Sequence, residues 1–242
     1  MTSLPNSVPD DMPRPNPSIA APSIHGDAIL VGGEVPIAVW RLDDRDDDAP
    51  TTDPNARLAS RLARRLILVY TRRGEAIVDF DSDPHLQTAS ANTSRSYVSI
   101  TDPGEVADLD SLAEPASLVV LRWPPRHADR PRASIADLFG ACRLIMTADT
   151  CAIAAISSTA PGQPGTTYAE HLSELLPAAR AAGLTHVLQI VAVIGSGNGD
   201  QFVYYATHVE VEAARQGWPT GHGDQSHHVD LLVFTSEVRR HE

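Results

Sequence analysis

The stretch Gly74-Glu75-Ala76-Ile77-Val78-Asp79-Phe80-Asp81-Ser82-Asp83-Pro84 decides the fold. A short apolar run ends in an acidic residue and a helix-like segment follows. That is the pattern of a strand–turn–helix unit in a nucleotide-type α/β domain. Such a turn ordinarily carries Gly-x-Gly, because glycine permits positive φ and lets the backbone approach a ligand closely. Here Asp81, Ser82 and Asp83 stand in those places. Carboxylates offer neither property, and they repel an anionic group.

Outward from this unit, helical and extended patterns alternate. Ala56 to Tyr70 has apolar residues at helical spacing with arginines between them. Ala76 to Phe80 reads as a strand and Pro84 to Ser94 as a short helix. Tyr97 to Ile100 is a second strand, stopped by Asp102-Pro103-Gly104, and Ser117 to Leu121 is a third. Ser134 to Thr147 suits an amphipathic helix, and Cys151 to Ile156 a fourth strand. Thr167 to Ala182 reads as a helix with Thr166 or Thr167 as N-cap and Gly183 as its stop. His186 to Ile194, Gln201 to Thr207 and Val229 to Phe234 complete the set as three strands joined without helices. The alternation implies right-handed crossovers and a mainly parallel seven-stranded sheet, with an antiparallel pair near the C-terminus.

Residues 1–24 repeat proline among Asn, Ser and Asp and are expected to be a disordered tail. Residues 25–55 read as an N-terminal extension with two short extended segments. The acidic run from Asp43 to Asp48 is read as a solvated linker. The main domain is expected over 56–242. A chain of 242 residues with 42% hydrophobic content fits one such domain, its core filled by aliphatic residues because aromatics are 5%. The formal net charge of -12 suits a soluble chain and disfavours a broad phosphate-neutralising face. Arg61, Arg64, Arg65, Arg72 and Arg73 read as a solvated face at one helix end, and as the place where a phosphate backbone would be held. Cys142 and Cys151 lack metal-ligand spacing and read as core residues. No signal-peptide pattern or membrane-length apolar run is present, so a cytoplasmic location is expected.

The order of these pieces resembles class I S-adenosylmethionine-dependent methyltransferases, and more narrowly the DNA-methylase-like proteins common in actinobacteria. Tyr70-Thr71-Arg72-Arg73-Gly74-Glu75-Ala76-Ile77-Val78-Asp79 is similar to that family's lead-in "YTRPGDLVLD". Tyr97 to Asp102 resembles its second strand, whose acidic end binds the cofactor ribose. Leu118 to Pro125 resembles its fourth strand with an (Asn/Asp/Ser)-Pro-Pro-aromatic tetrad. His228 to Phe234 resembles its closing strand "HEDVLVF". The resemblance implies a Rossmann-like fold over about residues 56–236. It implies cofactor contacts at Asp79, Asp81, Asp83 and Asp102, and a catalytic tetrad at Trp123, Pro124, Pro125 and Arg126.

The departures lie in that machinery. Trp123 stands where an amine-methylating enzyme needs a carbonyl acceptor, and an indole N–H only donates. Arg126 stands where an aromatic would stack on a flipped base; it can stack but offers only donors. The bland reading of Trp123 to Arg126 is a rigid loop capping the sheet, and that of Asp79, Asp81 and Asp83 is a solvated turn with Asp as helix N-cap. A calcium loop would need a glycine and a distant glutamate that are missing. His222, Asp224, His227 and His228 have no second cluster to support a metal, so none is expected. Gly195 to Asp200 reads as a hairpin loop, because strand-like residues follow it.

The expectation is a methyltransferase-like protein with degenerate motifs, serving as a non-catalytic binding or regulatory module. It would bind S-adenosylmethionine weakly or not at all and work as a homodimer or with another protein. The alternative is an active methyltransferase acting on nucleic acid, and a third reading is a structural DNA-associated protein. Any pocket is expected beside Asp79, Asp81, Asp102, Trp123 and Pro124, unless Trp123 folds inward and fills the space.

Overall fold

The computed structural model describes residues 35–43, 58–106, 116–125, 134–158, 165–195, 199–216 and 227–236. The expected tail over 1–24, most of the 25–55 extension, Arg126, His222 and Asp224 lie outside them. The elements in chain order are β1 (Ile37–Asp43), α1 (Ser60–Tyr70), β2 (Ala76–Asp79), α2 (Pro84–Asn92), β3 (Ser96–Ser99) and β4 (Ala116–Trp123). They continue with α3 (Ile135–Ile145), β5 (Cys151–Ile156), α4 (Tyr168–Ala181), β6 (Leu184–Gly195), β7 (Gln201–Val203), α5 (His208–Arg215) and β8 (His227–Ser236).

Local chemistry sets these boundaries. Leu62, Ala63, Leu66 and Ile67 form the buried stripe of α1. Asp83 caps α2 with Pro84 at its first position, where the missing N–H costs nothing. Ser134 with Asp137 and Thr167 with Glu170 close reciprocal capping boxes on α3 and α4. Gly183, at φ 77°, supplies the left-handed residue just after α4.

The sheet order is β3-β2-β4-β5-β8-β6-β1-β7. The first six strands in chain order point one way, while β7 and β8 run against them. The class is therefore the expected mainly parallel, Rossmann-like α/β fold. Alternation along the strands divides the core by sheet face. Leu118, Val120, Ile153, Ala155, Leu231 and Val233 pack on the face that α1 and α2 cover. Val119, Leu121, Ala154, Ile156, Leu232 and Phe234 pack on the face that α3 and α4 cover. Helix α5 covers Val191 and Val193 on that second face. Connections leave β2 toward β3 and return to β4, so the order reverses between β2 and β4. Clefts form at such a switch point, outside the strands' carboxyl ends.

Four expectations need correction. The sheet has eight strands rather than seven, because the second extended segment of the N-terminal extension joins it as β1, parallel to β6 from Ile37↔Gln189 to Asp43↔Gly195. The Gly195–Asp200 segment is not a hairpin turn, since β1 lies between β6 and β7. Helix α5 interrupts the closing strands that were expected to follow one another directly. Asp43 is 6% exposed rather than solvated, and its carboxylate accepts from the Gly199 backbone at 2.7 Å. Among the described residues, no helix is long and apolar enough to cross a membrane.

Candidate functional site at the carboxyl edge of the sheet

The acidic turn after β2 folds onto itself. Asp79 is fully buried, and its carboxylate accepts from the Asp81 backbone at 2.9 Å, the Asp83 backbone at 2.6 Å and the Tyr97 hydroxyl at 2.7 Å. Burial raises its pKa above the ordinary carboxylate range, against the pull of those three hydrogen bonds. Burial, with the Asp79 charge adding to it, also raises the Tyr97 phenol, which stays a donor to Asp79. Ser82 takes φ 55°, the left-handed conformation that glycine would supply, and shares a hydrogen bond with Ser99 at 2.5 Å. The turn keeps the shape of a glycine turn with a polar side chain in it.

Asp83 and Asp81 are each committed within the protein. Asp83, 2% exposed, accepts from His85 N at 2.8 Å and Leu86 N at 3.3 Å, which makes it the N-cap of α2. Its other oxygen accepts from Leu58 N at 2.8 Å, while His85 Nδ1 donates to the Leu58 carbonyl at 2.6 Å. Asp81 points at Arg122 of β4, with Oδ2 3.3 Å from Nε, and both side chains are more than nine-tenths buried. Arg122 also reaches the Ser157 hydroxyl at 3.4 Å. The remaining space among Leu58, Asp81, Asp83, Leu86, Arg122 and Ala155 is about 10 Å³, enough for one water and no more.

The other expected site residues are scattered around this turn. Asp102 lies beyond β3, exposed, with its carboxylate accepting from Gly104 N at 2.9 Å. Trp123 ends β4 and turns into the apolar layer under α3 and α4, 8% exposed and opposite Ile156 of β5. Pro124 and Pro125 are half-buried after it. The structure thus brings Asp79, Asp81 and Asp83 together on the α1/α2 side. It places Trp123 on the opposite face and leaves Asp102 at the rim. Among the described residues, no group of three or more His, Cys, Asp or Glu side chains is placed to hold a metal ion.

No described protein family matches this sequence, and no curated protein does. The fold is similar to several solved structures. A TehB-like SAM-dependent methyltransferase from Corynebacterium glutamicum is 14% identical, covering 72% of this chain and 87% of its own, at TM-score 0.35. A precorrin-6y C5,15-methyltransferase from Geobacter metallireducens is 9% identical, covering 80% and 95%, at TM-score 0.43. A putative methyltransferase from Thermoplasma acidophilum is 9% identical, covering 85% and 69%, at TM-score 0.39. Likeness this distant says nothing about activity, and the fold class rests on the sheet order itself.

The described residues do not fit an adenosyl cofactor at this turn. Its backbone donors at Asp81 and Asp83 are taken by Asp79, its carboxylates are internally bonded, and the free volume is one water's worth. Two residues central to this closure, Arg122 and Tyr97, were not expected as site residues. Arg122 was detectable: a cation inside the apolar run Leu118–Trp123 must find a buried partner.

Proposed function

We propose that this chain is a methyltransferase-like protein whose cofactor cleft is shut, and that it serves as a non-catalytic binding or regulatory module. The observation that supports this reading best is the buried Asp81–Arg122 pair, which joins the two strand ends between which a cofactor would lie. Opening the cleft means separating two charges that have little water to receive them, which costs several kcal/mol. Trp123 supports it independently: packed inward, it presents neither an acceptor for an amine nor an open face for a base.

The deciding experiment is calorimetric titration of the full chain with S-adenosylmethionine and with S-adenosylhomocysteine. The expected result is no saturable heat at submillimolar ligand. Micromolar affinity for either compound overturns the reading and favours an enzyme. Transfer of a radiolabelled methyl group to duplex DNA, lost on Pro124→Ala, would do the same.

A further inference from the structure

A cationic face runs along α1 where the helix meets the β7 edge of the sheet. Between Asp53 and Glu75 the sequence has six arginines and no acidic residue, inside a chain whose net charge is -12. Arg61, Arg64, Arg65 and Leu68 recur at helical spacing on α1, opposite the stripe that Leu62, Ala63, Leu66 and Ile67 bury. Three contacts lay this helix along β7. Arg61 Nε pairs with Asp200 Oδ1 at 2.8 Å just before the strand, and the Arg65 guanidinium lies 4.0 Å over the Phe202 ring. At the helix end, burial raises the pKa of Tyr70, and the nearby Cys151 and Tyr204 add to the rise. Arg72 and Arg73 follow, exposed, in the turn that enters β2 at the amino edge of the sheet, away from the Asp79 turn.

Among the described residues, no hydrogen bond or ion pair engages the side chains of Arg64, Arg65, Arg72 or Arg73. Arg65 Nε is closed off, whereas its two terminal nitrogens are not. Stacking on Phe202 fixes the guanidinium plane and leaves those donors for an anion. The acidic groups at the two ends of the face are engaged, Asp200 by Arg61 and Glu75 by the Arg72 backbone N–H at 2.6 Å. Apolar surface is exposed here as well. Leu68 is 46% exposed and Tyr204 53%, with Tyr204 two residues beyond Phe202 toward the end of α1. An exposed aromatic ring beside guanidinium groups is the arrangement on which unpaired bases stack while their backbone is neutralised.

We propose that this face binds single-stranded nucleic acid, with phosphates on Arg64, Arg65, Arg72 and Arg73 and a base stacked on Tyr204. An acidic peptide would satisfy the arginines and leave the exposed ring unused. A duplex would do the same, because its bases are already stacked on one another. A single strand also suits the charge of the whole chain. It tracks one row of cations, whereas a net charge of -12 repels a broad polyanionic surface such as an acidic bilayer. The face lies outside the closed turn, so binding there needs neither a cofactor nor separation of the Asp81–Arg122 pair. The inference goes beyond the binding-module reading by giving a partner, and it stands whether or not the cleft is shut.

The test is fluorescence anisotropy of labelled oligothymidylate and oligouridylate titrated with the full chain at low salt. Each oligomer has about 12 nucleotides, within the site sizes of such surfaces. Saturable binding of at least one is expected, with log K falling against log salt at a slope of about -3, the value for four contacts to a single strand. Tyr204→Ala is expected to weaken binding about tenfold and Tyr204→Phe to leave it intact, because the ring is what stacks. Arg64→Gln/Arg73→Gln should weaken it as well and make the salt slope shallower by about 1.4. Thermal unfolding reports that the variants are folded, and the arginine pair carries the test if Tyr204→Ala is not. No saturable binding to either oligomer overturns the proposal, as does binding that the folded variants leave untouched. Equal affinity for an oligothymidylate–oligoadenylate duplex overturns it too. So does equal competition by polyglutamate or by phosphatidylserine vesicles at matched charge, which would make the face a general anion surface. S-adenosylmethionine is titrated in parallel. Cofactor binding rejects only the shut cleft, and cofactor silence without strand binding rejects only this face.

Discussion

Asp81 Oδ2 lies 3.3 Å from Arg122 Nε, and the two side chains are 8% and 7% exposed. A pair this deeply buried gains little net stability over an apolar pair of the same volume, but removing one partner strands the other. Asp81→Ala and Arg122→Ala are each expected to cost about 3 kcal/mol in urea unfolding, and Asp81→Ala/Arg122→Met distinctly less than the sum. Additive costs would show that the two charges do not depend on each other.

Asp83 should matter more for folding than its place in a turn suggests. It caps α2 and also holds the Leu58 backbone N–H, which leads into α1. Asp83→Ala loses the cap and leaves a buried donor open, together about 2–4 kcal/mol, whereas Asp83→Asn keeps an acceptor and costs less. Thermal unfolding of the two variants side by side checks the order.

Trp123 fills space that a smaller residue would leave empty. Trp123→Ala is expected to cost about 3–5 kcal/mol, the range for removing a buried aromatic. A cost below about 1 kcal/mol in chemical denaturation would place the indole in solvent instead.

Asp79 ties stability to pH in the sense opposite to most carboxylates. Burial raises its folded pKa above the usual 3.8, so the native state holds this proton more tightly than the unfolded chain does. Its stabilising contribution is full below pH 3.8 and is lost as pH rises through the raised value. The stability of wild type minus that of Asp79→Asn should therefore fall as pH climbs out of that region. A difference that rises with pH in equilibrium unfolding would reverse the sign of the shift.

His186 works the other way. Burial pulls its pKa from 6.5 down to about 4, against the hydrogen bond its Nε2 makes to the Leu188 carbonyl. The folded protein keeps the ring neutral while the unfolded chain takes a proton. The contribution is full above pH 6.5 and is lost as pH falls toward about 4. His186→Phe should flatten that part of the stability profile, and an unchanged slope would remove His186 as its source.

The regular alternation of strands and helices was legible because its cues are local. Cys151–Ile156 is an uninterrupted apolar run, and Thr167 with Glu170 announces α4. The acidic turn reads as a solvated turn with Asp as helix N-cap or as a cofactor loop; Asp83 fills the N-cap role, but it and Asp79 are buried rather than solvated. Thr207 with Glu210 carries the same signature as α4, yet the eight-residue α5 behind it is too short to dominate a periodicity pattern. Other features depend on partners far along the chain and leave no local trace. Asp43 reads as the start of an acidic linker until Gly199 and Asp200 are brought beside it. Trp123, Ile156 and Asp230 come into one row only once three strands are in register.

The placement of β1 governs the order in which the molecule can be made. Its backbone is satisfied by β6 on one side and β7 on the other. Those strands lie roughly 150 residues later in the chain, a loop closure that must be paid before any contact rewards it. On a ribosome, Trp40 therefore waits while the centre of the sheet is synthesised, and the far edge assembles only after β6 has emerged. Until then an apolar segment is exposed, and that interval is when a nascent chain of this topology is most open to chaperone capture or to pairing with a neighbour.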